Sequence, residues 1–149
     1  MIENYPWKHI RFTQFFNEDE RAGLLDRIDF IKDDPKFHKI IKDHYVQLGG
    51  QDVEELQVVS KIKDCSRDDN SIHTDWKPNK KLTTVVYLSE KSVGTYFYPN
   101  PDSEKQEVEW EPSAGYSFIP TPSTYHSQPS DWEGDRKIVL YNLTTDGEV

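Results

Sequence analysis

The spacing of apolar residues changes once along this chain. Leu24, Leu25, Ile28 and Ile31 recur at helical intervals. Asn17, with Glu20 three residues on, makes a capping box ahead of them. The spacing predicts an amphipathic helix over roughly residues 18–32, stopped by Asp33-Asp34-Pro35. His9-Ile10-Arg11-Phe12 reads as an opening strand, and 35–43 as a second short helix or an irregular stretch. From residue 45 a period of two takes over. Residues 45–48 read as a strand ending at a Gly49-Gly50 turn. Leu56, Val58, Ser60 and Ile62 then share one face, with Val59 on the other. Short strands follow over 72–75, 82–88, 94–98, 106–110, 115–119 and 136–143. Polar loops at 64–70, 77–79 and 99–102 and a Pro-rich turn at Pro120 and Pro122 separate them. This pattern predicts a mainly β sandwich or barrel, residues 45–143, with N-terminal helical support, 1–44, in one domain spanning 1–149.

Composition narrows the functions open to it. Hydrophobic residues make up only 34%, but four Trp, eight Tyr and seven Phe can fill a compact core. The net charge of −9 argues against a nucleic-acid partner, which needs clustered Lys and Arg. Cys65 is the single cysteine, so no internal disulfide forms; its position in a loop reads as an inert thiol. There is no apolar run long enough for a membrane span and no basic, then apolar, leader, so a cytoplasmic protein is expected. Trp7 and Trp110 read as single exposed aromatics, and oligomeric state is not legible.

One constellation carries chemistry. His73-Thr74-Asp75 is followed about fifty residues later by His126 and then by Arg136. On a strand, residues i and i+2 point to one side, so His73 and Asp75 would converge on a point to which a distant strand brings His126. Two imidazoles and a carboxylate form the facial ligand set of non-haem Fe(II), which leaves positions open for a co-substrate and O2. Arg136 heads an apolar strand, sharing a face with Ile138 and Leu140. A guanidinium pointing inward there needs a partner, and a dicarboxylate co-substrate would supply one. The competing reading for Arg136 is a surface ion pair with Asp131 or Asp135, and Lys137 falls on the opposite strand face. Tyr87 offers a phenol as second donor, or is simply a core aromatic. His38 and His44 have no ligand partners at useful spacing and read as packing or surface residues. Trp76, Tyr96, Tyr98 and Trp132 read as core or rim aromatics.

Taken together, His73-Thr74-Asp75, the strand Leu82-Thr83-Thr84-Val85-Val86-Tyr87-Leu88, Gly94-Thr95-Tyr96-Phe97, His126 and Arg136-Lys137-Ile138-Val139-Leu140-Tyr141-Asn142 resemble the Fe(II)/2-oxoglutarate-dependent oxygenases. Within them the likeness is to the prolyl-4-hydroxylase branch, over about residues 56–143. The resemblance implies a double-stranded β-helix, or jelly roll. It implies His73, Asp75 and His126 as metal ligands and Arg136 and Tyr87 as the co-substrate's anchors. It also implies hydroxylation of a C–H bond in a protein side chain or small molecule, with release of succinate and CO2. O2 is the oxidant and ascorbate a candidate accessory reductant. Asp75 fits hydroxylation, because halogenases of the family carry a small residue there. The chain is short, and larger members build substrate grooves from N-terminal additions. The polar loops 64–71, 77–80 and 99–105 would frame the mouth. A cupin-like metalloenzyme that uses no 2-oxoglutarate, or a non-catalytic jelly-roll binding domain, are the alternatives.

Overall fold

The computed structural model describes residues 1–51, 53 and 55–149. After β1 (Ile2–Glu3), the opening strand is present as β2 (His9–Phe12). Helix α1 (Glu18–Leu25) starts at the capping box, with Asn17 Oδ1 accepting from the Glu20 amide at 2.8 Å and Glu20 Oε1 from the Asn17 amide at 2.8 Å. Such a cap stabilises a helix by about 1 kcal/mol.

The single helix expected to residue 32 is broken. The amide of Ile28 bonds the Gly23 carbonyl and that of Arg27 the Leu24 carbonyl, with Arg27 at φ 65°. This is a Schellman stop with arginine where glycine usually stands, so no residue pattern announces it. The chain then folds back through a 3-10 turn (Asp29–Asp33), and Ile31 fills the space that a side chain on Gly23 would need. Asp33-Asp34-Pro35 therefore begins the next helix. Asp34 caps it, Pro35 takes its first position, and α2 runs Pro35–Gln47. The strand expected over 45–48 is that helix's last turn; Gly49, at φ 100°, is its terminator. Tyr45 to Leu48 show local β-propensity, but Phe37, Ile41 and His44 repeat with helical spacing and are buried, so packing decided the outcome.

The remaining strands are β3 (Gln57–Asp64), β4 (Lys80–Tyr87), β5 (Thr95–Tyr98), β6 (Gln106–Val108), β7 (Gly115–Phe118), β8 (Tyr125–Ser127) and β9 (Lys137–Thr144). All pair antiparallel, in a six-stranded sheet β1-β2-β7-β4-β9-β3 and a three-stranded sheet β6-β5-β8. Two facing antiparallel sheets with a helical layer outside are the expected jelly roll. The strand expected over 72–75 is only a single bridge at His73.

Strand alternation gives the large sheet two faces. Leu82, Val86, Leu88, Val139, Tyr141 and Leu143 face outward and pack with Leu24, Phe37 and Ile41 of the helices. Val85, Tyr87, Tyr116, Phe118 and Ile138 face inward and pack with Phe97 and Val108 of the small sheet. Neither Trp7 nor Trp110 is exposed as expected. Trp7 stacks on Phe97 at 4.2 Å and donates to the Tyr98 carbonyl; Trp110 stacks on Tyr87 at 4.2 Å and donates to the Ser89 carbonyl.

His44 is the packing histidine the sequence suggested. Its Nδ1 lies 2.8 Å from Ser117 Oγ beneath the helical layer. Burial, reinforced by the positive N-terminus, pushes its pKa down to about 4. The unfolded chain thus binds a proton near pH 6.5 that the folded chain refuses until about pH 4. Stability rises with pH across that window. Acidifying from pH 7 to 4 is expected to remove on the order of 2 kcal/mol through this residue. Urea midpoints of His44→Gln, with no such pH dependence, check it; a wild-type curve equal in slope to the variant's refutes it.

Candidate metal centre and anion pocket

His73 and His126 face each other as a hydrogen-bonded antiparallel pair, each amide donating to the other's carbonyl at 2.9 Å. Their rings lie 4.3 Å apart. Asp75 reaches them by a different route from the strand alternation expected. It sits at φ 60°, in the left-handed region, and so turns its carboxylate back between the rings. Asp tolerates this conformation better than most residues, and such outliers gather at functional sites. Thr124 Oγ pins the turn by donating to the carbonyl of Thr74 at 2.9 Å. Asp75 Oδ2 lies 2.8 Å from His126 Nε2 and Oδ1 3.4 Å from His73 Nε2. One ligand atom from each residue falls within 4.8 Å of the others.

The donor set fits a metal cation on its own chemistry. The Nδ1 of His73 is 2.8 Å from the Ser71 carbonyl, and that of His126 is 2.8 Å from the Thr124 carbonyl. A carbonyl only accepts, so each Nδ1 carries the proton and each neutral ring presents a bare Nε2 lone pair. Those lone pairs meet a carboxylate. A cation, proton or metal, must lie among them, and the backbone carbonyls are the outer partners that orient metal-bound histidines. Burial would raise the Asp75 pKa, but in the metal-free cluster the hydrogen bond with His126 and the positive charge that a proton shared with His126 or His73 brings outweigh it and hold it down to about 2. The carboxylate is ionised at neutral pH. His126 is deeply set, with Phe118 edge-on at 5.1 Å, whereas the His73 side chain is 44% exposed, so the centre opens on the His73 side.

Arg136 stands across the same cavity, whose lining includes all three triad residues, Val85, Tyr116, Ile138 and Leu140. It is only 4% exposed. It donates to the carbonyls of Val93 at 3.2 Å and Gly94 at 3.0 Å, to Gln128 Oε1 at 2.8 Å, to Cys65 Sγ at 3.2 Å and to Thr95 Oγ at 3.4 Å. Every partner is uncharged, and among the described residues no carboxylate pairs with it. The surface pairing with Asp131 or Asp135 is thereby overturned. Asp135 lies 3.8 Å from Lys137, which does point to the opposite face. Trp110 and Trp132 flank the guanidinium at 5.2 and 5.8 Å, a further cation-stabilising contact. The buried charge of Arg136 is thus balanced only by neutral acceptors and ring faces.

Tyr87 does not reach the cavity. Its hydroxyl donates to the Val108 carbonyl at 3.1 Å, so at the 2.9 Å contact Thr95 must be the donor. Thr95 Oγ in turn accepts from Arg136. Tyr87 therefore supports Arg136 through Thr95 and stays neutral, burial having pushed its pKa up to about 12. The phenol that lines the cavity is Tyr116, beside Val85 in the β4–β7 register. Its parity with Phe118 in an apolar strand was the available signal. Cys65 lies in the loop after β3, as expected, but that loop folds it into the cavity lining against Arg136. Thr95, Gln128, Lys63 and Asp69 are further cavity residues the sequence did not single out. Of the loops expected at the mouth, 64–71 contributes Cys65 and Asp69.

Solved structures share the fold that carries this cavity. No protein-family model and no curated protein matches the sequence. The fold is that of the prolyl-4-hydroxylases. A Pseudomonas putida prolyl-4-hydroxylase superposes with TM-score 0.60 at 11% identity, covering 91% of this chain and 87% of its own. A viral collagen prolyl hydroxylase from Paramecium bursaria Chlorella virus-1 gives 0.56 at 13%, covering 91% and 88%. A structure of that viral enzyme in complex with 2-oxoglutarate gives 0.51 at 13%, covering 91% and 94%. A Phytophthora capsici prolyl 4-hydroxylase gives 0.62 at 12%, this chain covering 58% of its length. Among the described residues no helix is long and apolar enough to cross a membrane.

Proposed function

We propose that this protein is an Fe(II)- and 2-oxoglutarate-dependent dioxygenase that hydroxylates a C–H bond of a protein side chain or small molecule. The observation that carries this reading is the pairing, in one cavity, of a cation-demanding His73–Asp75–His126 cluster with a buried Arg136 that lacks a counter-ion. A cation site and an anion site facing each other suit a chelating dicarboxylate. When bound, iron would supply the redox chemistry that couples decarboxylation of 2-oxoglutarate to oxidation of the substrate.

The chain's own residues do the rest. His73, Asp75 and His126 hold the metal, each imidazole fixed in tautomer and direction by its backbone carbonyl. Arg136 takes the far carboxylate of the co-substrate in exchange for its contacts with the cavity-lining Gln128 and Cys65, and the Thr95–Tyr87 chain behind it fixes its plane. Gly94 matters here, because its backbone lies against the Val108 carbonyl where a side chain would collide, which sets the carbonyl that Arg136 grips. Val85, Ile138 and Leu140 floor the cavity and limit water. The open side at His73 and Trp76, which is 48% exposed, is where substrate enters.

Anaerobic addition of Fe(II) and 2-oxoglutarate to metal-free protein is expected to give the visible metal-to-ligand charge-transfer band of the chelate. Iron binding with no band would favour a cupin-like site or a non-catalytic jelly roll. No iron binding would overturn the metal assignment.

A further inference from the structure

Two charged residues of the cavity take no part in the metal cluster or in holding Arg136. These are Lys63 and Asp69, whose charged ends meet at 3.3 Å, with 39% and 56% of their side chains exposed. Lys63 lies on the inward-facing side of β3, opposite Ile138, and the next inward residue, Lys61, lies opposite Leu140. Ile138 and Leu140 are part of the cavity floor. Lys80, at the bulge that opens β4, is half-buried, and its charge acts on those of Asp75, Lys77 and Lys61. Lys63 is thus the lysine that lines this apolar floor beside the metal cluster, with Lys61 next on the same strand face, in a chain whose net charge is −9. An overall acidic protein repels anions at a distance, so a local cationic border selects for them at this place.

The Lys63–Asp69 pair shows what that border accepts. It is a half-exposed ion pair, of a kind that contributes about 0–1 kcal/mol, so an incoming group can displace Asp69 without great loss. Asp69 itself is a carboxylate on a short tether, leaning over the floor from the 64–71 loop. Resting on the oxygenase reading above, we infer that the substrate carries a carboxylate, that Lys63 anchors it, and that Asp69 holds its place in the free protein. The two anion sites divide the work. Arg136, buried and gripped by neutral groups, serves the co-substrate; Lys63, at the rim and exchangeable, selects the substrate.

The test uses Zn(II)- and 2-oxoglutarate-loaded protein, inert to turnover, and reads amide shifts by NMR. The probes are N-acetyl-glutamate amide and a capped Ala-Ala-Glu-Ala-Ala peptide, each against its glutamine isostere. Carboxylate probes are expected to bind about fivefold more tightly than their isosteres, with shifts centred on Lys63. Preference in the small probe identifies a small acid; preference confined to the peptide identifies an acidic peptide. Lys63→Gln should erase the preference, and Asp69→Asn should enlarge it. Asp68→Asn, an exposed neighbour with the same change in net charge, should leave it unchanged. Equal binding of probe and isostere, no binding of either, a preference that survives Lys63→Gln, or equal effects of the two Asp variants would overturn the assignment. The same titration in metal-free protein separates the two failures. If the chelate band does not form, the oxygenase reading falls, while the Lys63 comparison still reads out.

Discussion

Asp75→Ala is expected to lose metal affinity by more than about 100-fold, beyond the effect of disturbing an outer partner of a metal site. Two neutral imidazoles would remain, with no carboxylate to complete the set or balance the charge. Fe(II) retained after gel filtration, counted per chain, is the direct measurement. Asp75→Asn is the cleaner companion, because Asn also tolerates the left-handed backbone that Asp75 adopts at φ 60°. The pKa of about 2 adds a stability effect in the metal-free chain. A depressed carboxyl pKa stabilises the fold above its unfolded value of about 3.9, and that stability is lost as pH falls through about 2. The drop is on the order of 2 kcal/mol for a group this well enclosed. It should be present in wild type and absent in Asp75→Asn. Metal retention by either variant at wild-type levels would sink the site.

Arg136→Lys should cost about tenfold or more in 2-oxoglutarate affinity, since an ammonium cannot hold the Val93 and Gly94 carbonyls and a carboxylate in the fixed plane of a guanidinium. Fe(II) affinity should stay within about threefold, because Arg136 does not contact the triad. Arg136→Ala is a harsher change. It strips the donor from the Val93 and Gly94 carbonyls and Gln128, and unsatisfied buried groups cost about 1–3 kcal/mol each. Its melting temperature must accompany any binding result. Calorimetric titration of 2-oxoglutarate into Zn(II)-loaded Arg136→Lys decides the matter. An affinity unchanged in both Arg136→Lys and Arg136→Ala would remove Arg136 as the co-substrate anchor.

What the sequence made legible follows from the range of each signal. The strands from β4 to β9 and the inward face of Arg136, Ile138 and Leu140 were readable, because period-two alternation is local and one face is buried. The convergence of His73, Asp75 and His126 was readable as chemistry, though its geometry was not. It depends on a left-handed residue and a single cross-strand bridge, neither of which has a compositional signal. The helix break at Arg27 was hidden because an arginine occupies a glycine's place. Tyr87 and Tyr116 could not be ranked without knowing which inward position a neighbouring threonine shields.

The position of β3 at the end of the six-stranded sheet has a consequence for solubility. Among the described residues its outer row of amides has no neighbouring strand, and such a row can recruit a second chain. Lys61 and Lys63 interrupt Gln57–Asp64 with charge. Arg27 to Asp64 and Ser60 to Asp33 tie the preceding 3-10 turn and its approach to the same rim. Lys61 and Lys63 therefore also act as gatekeepers against intermolecular strand addition. A polar replacement such as glutamine keeps that protection in part, whereas valine at either position would convert the rim into an aggregation-prone template.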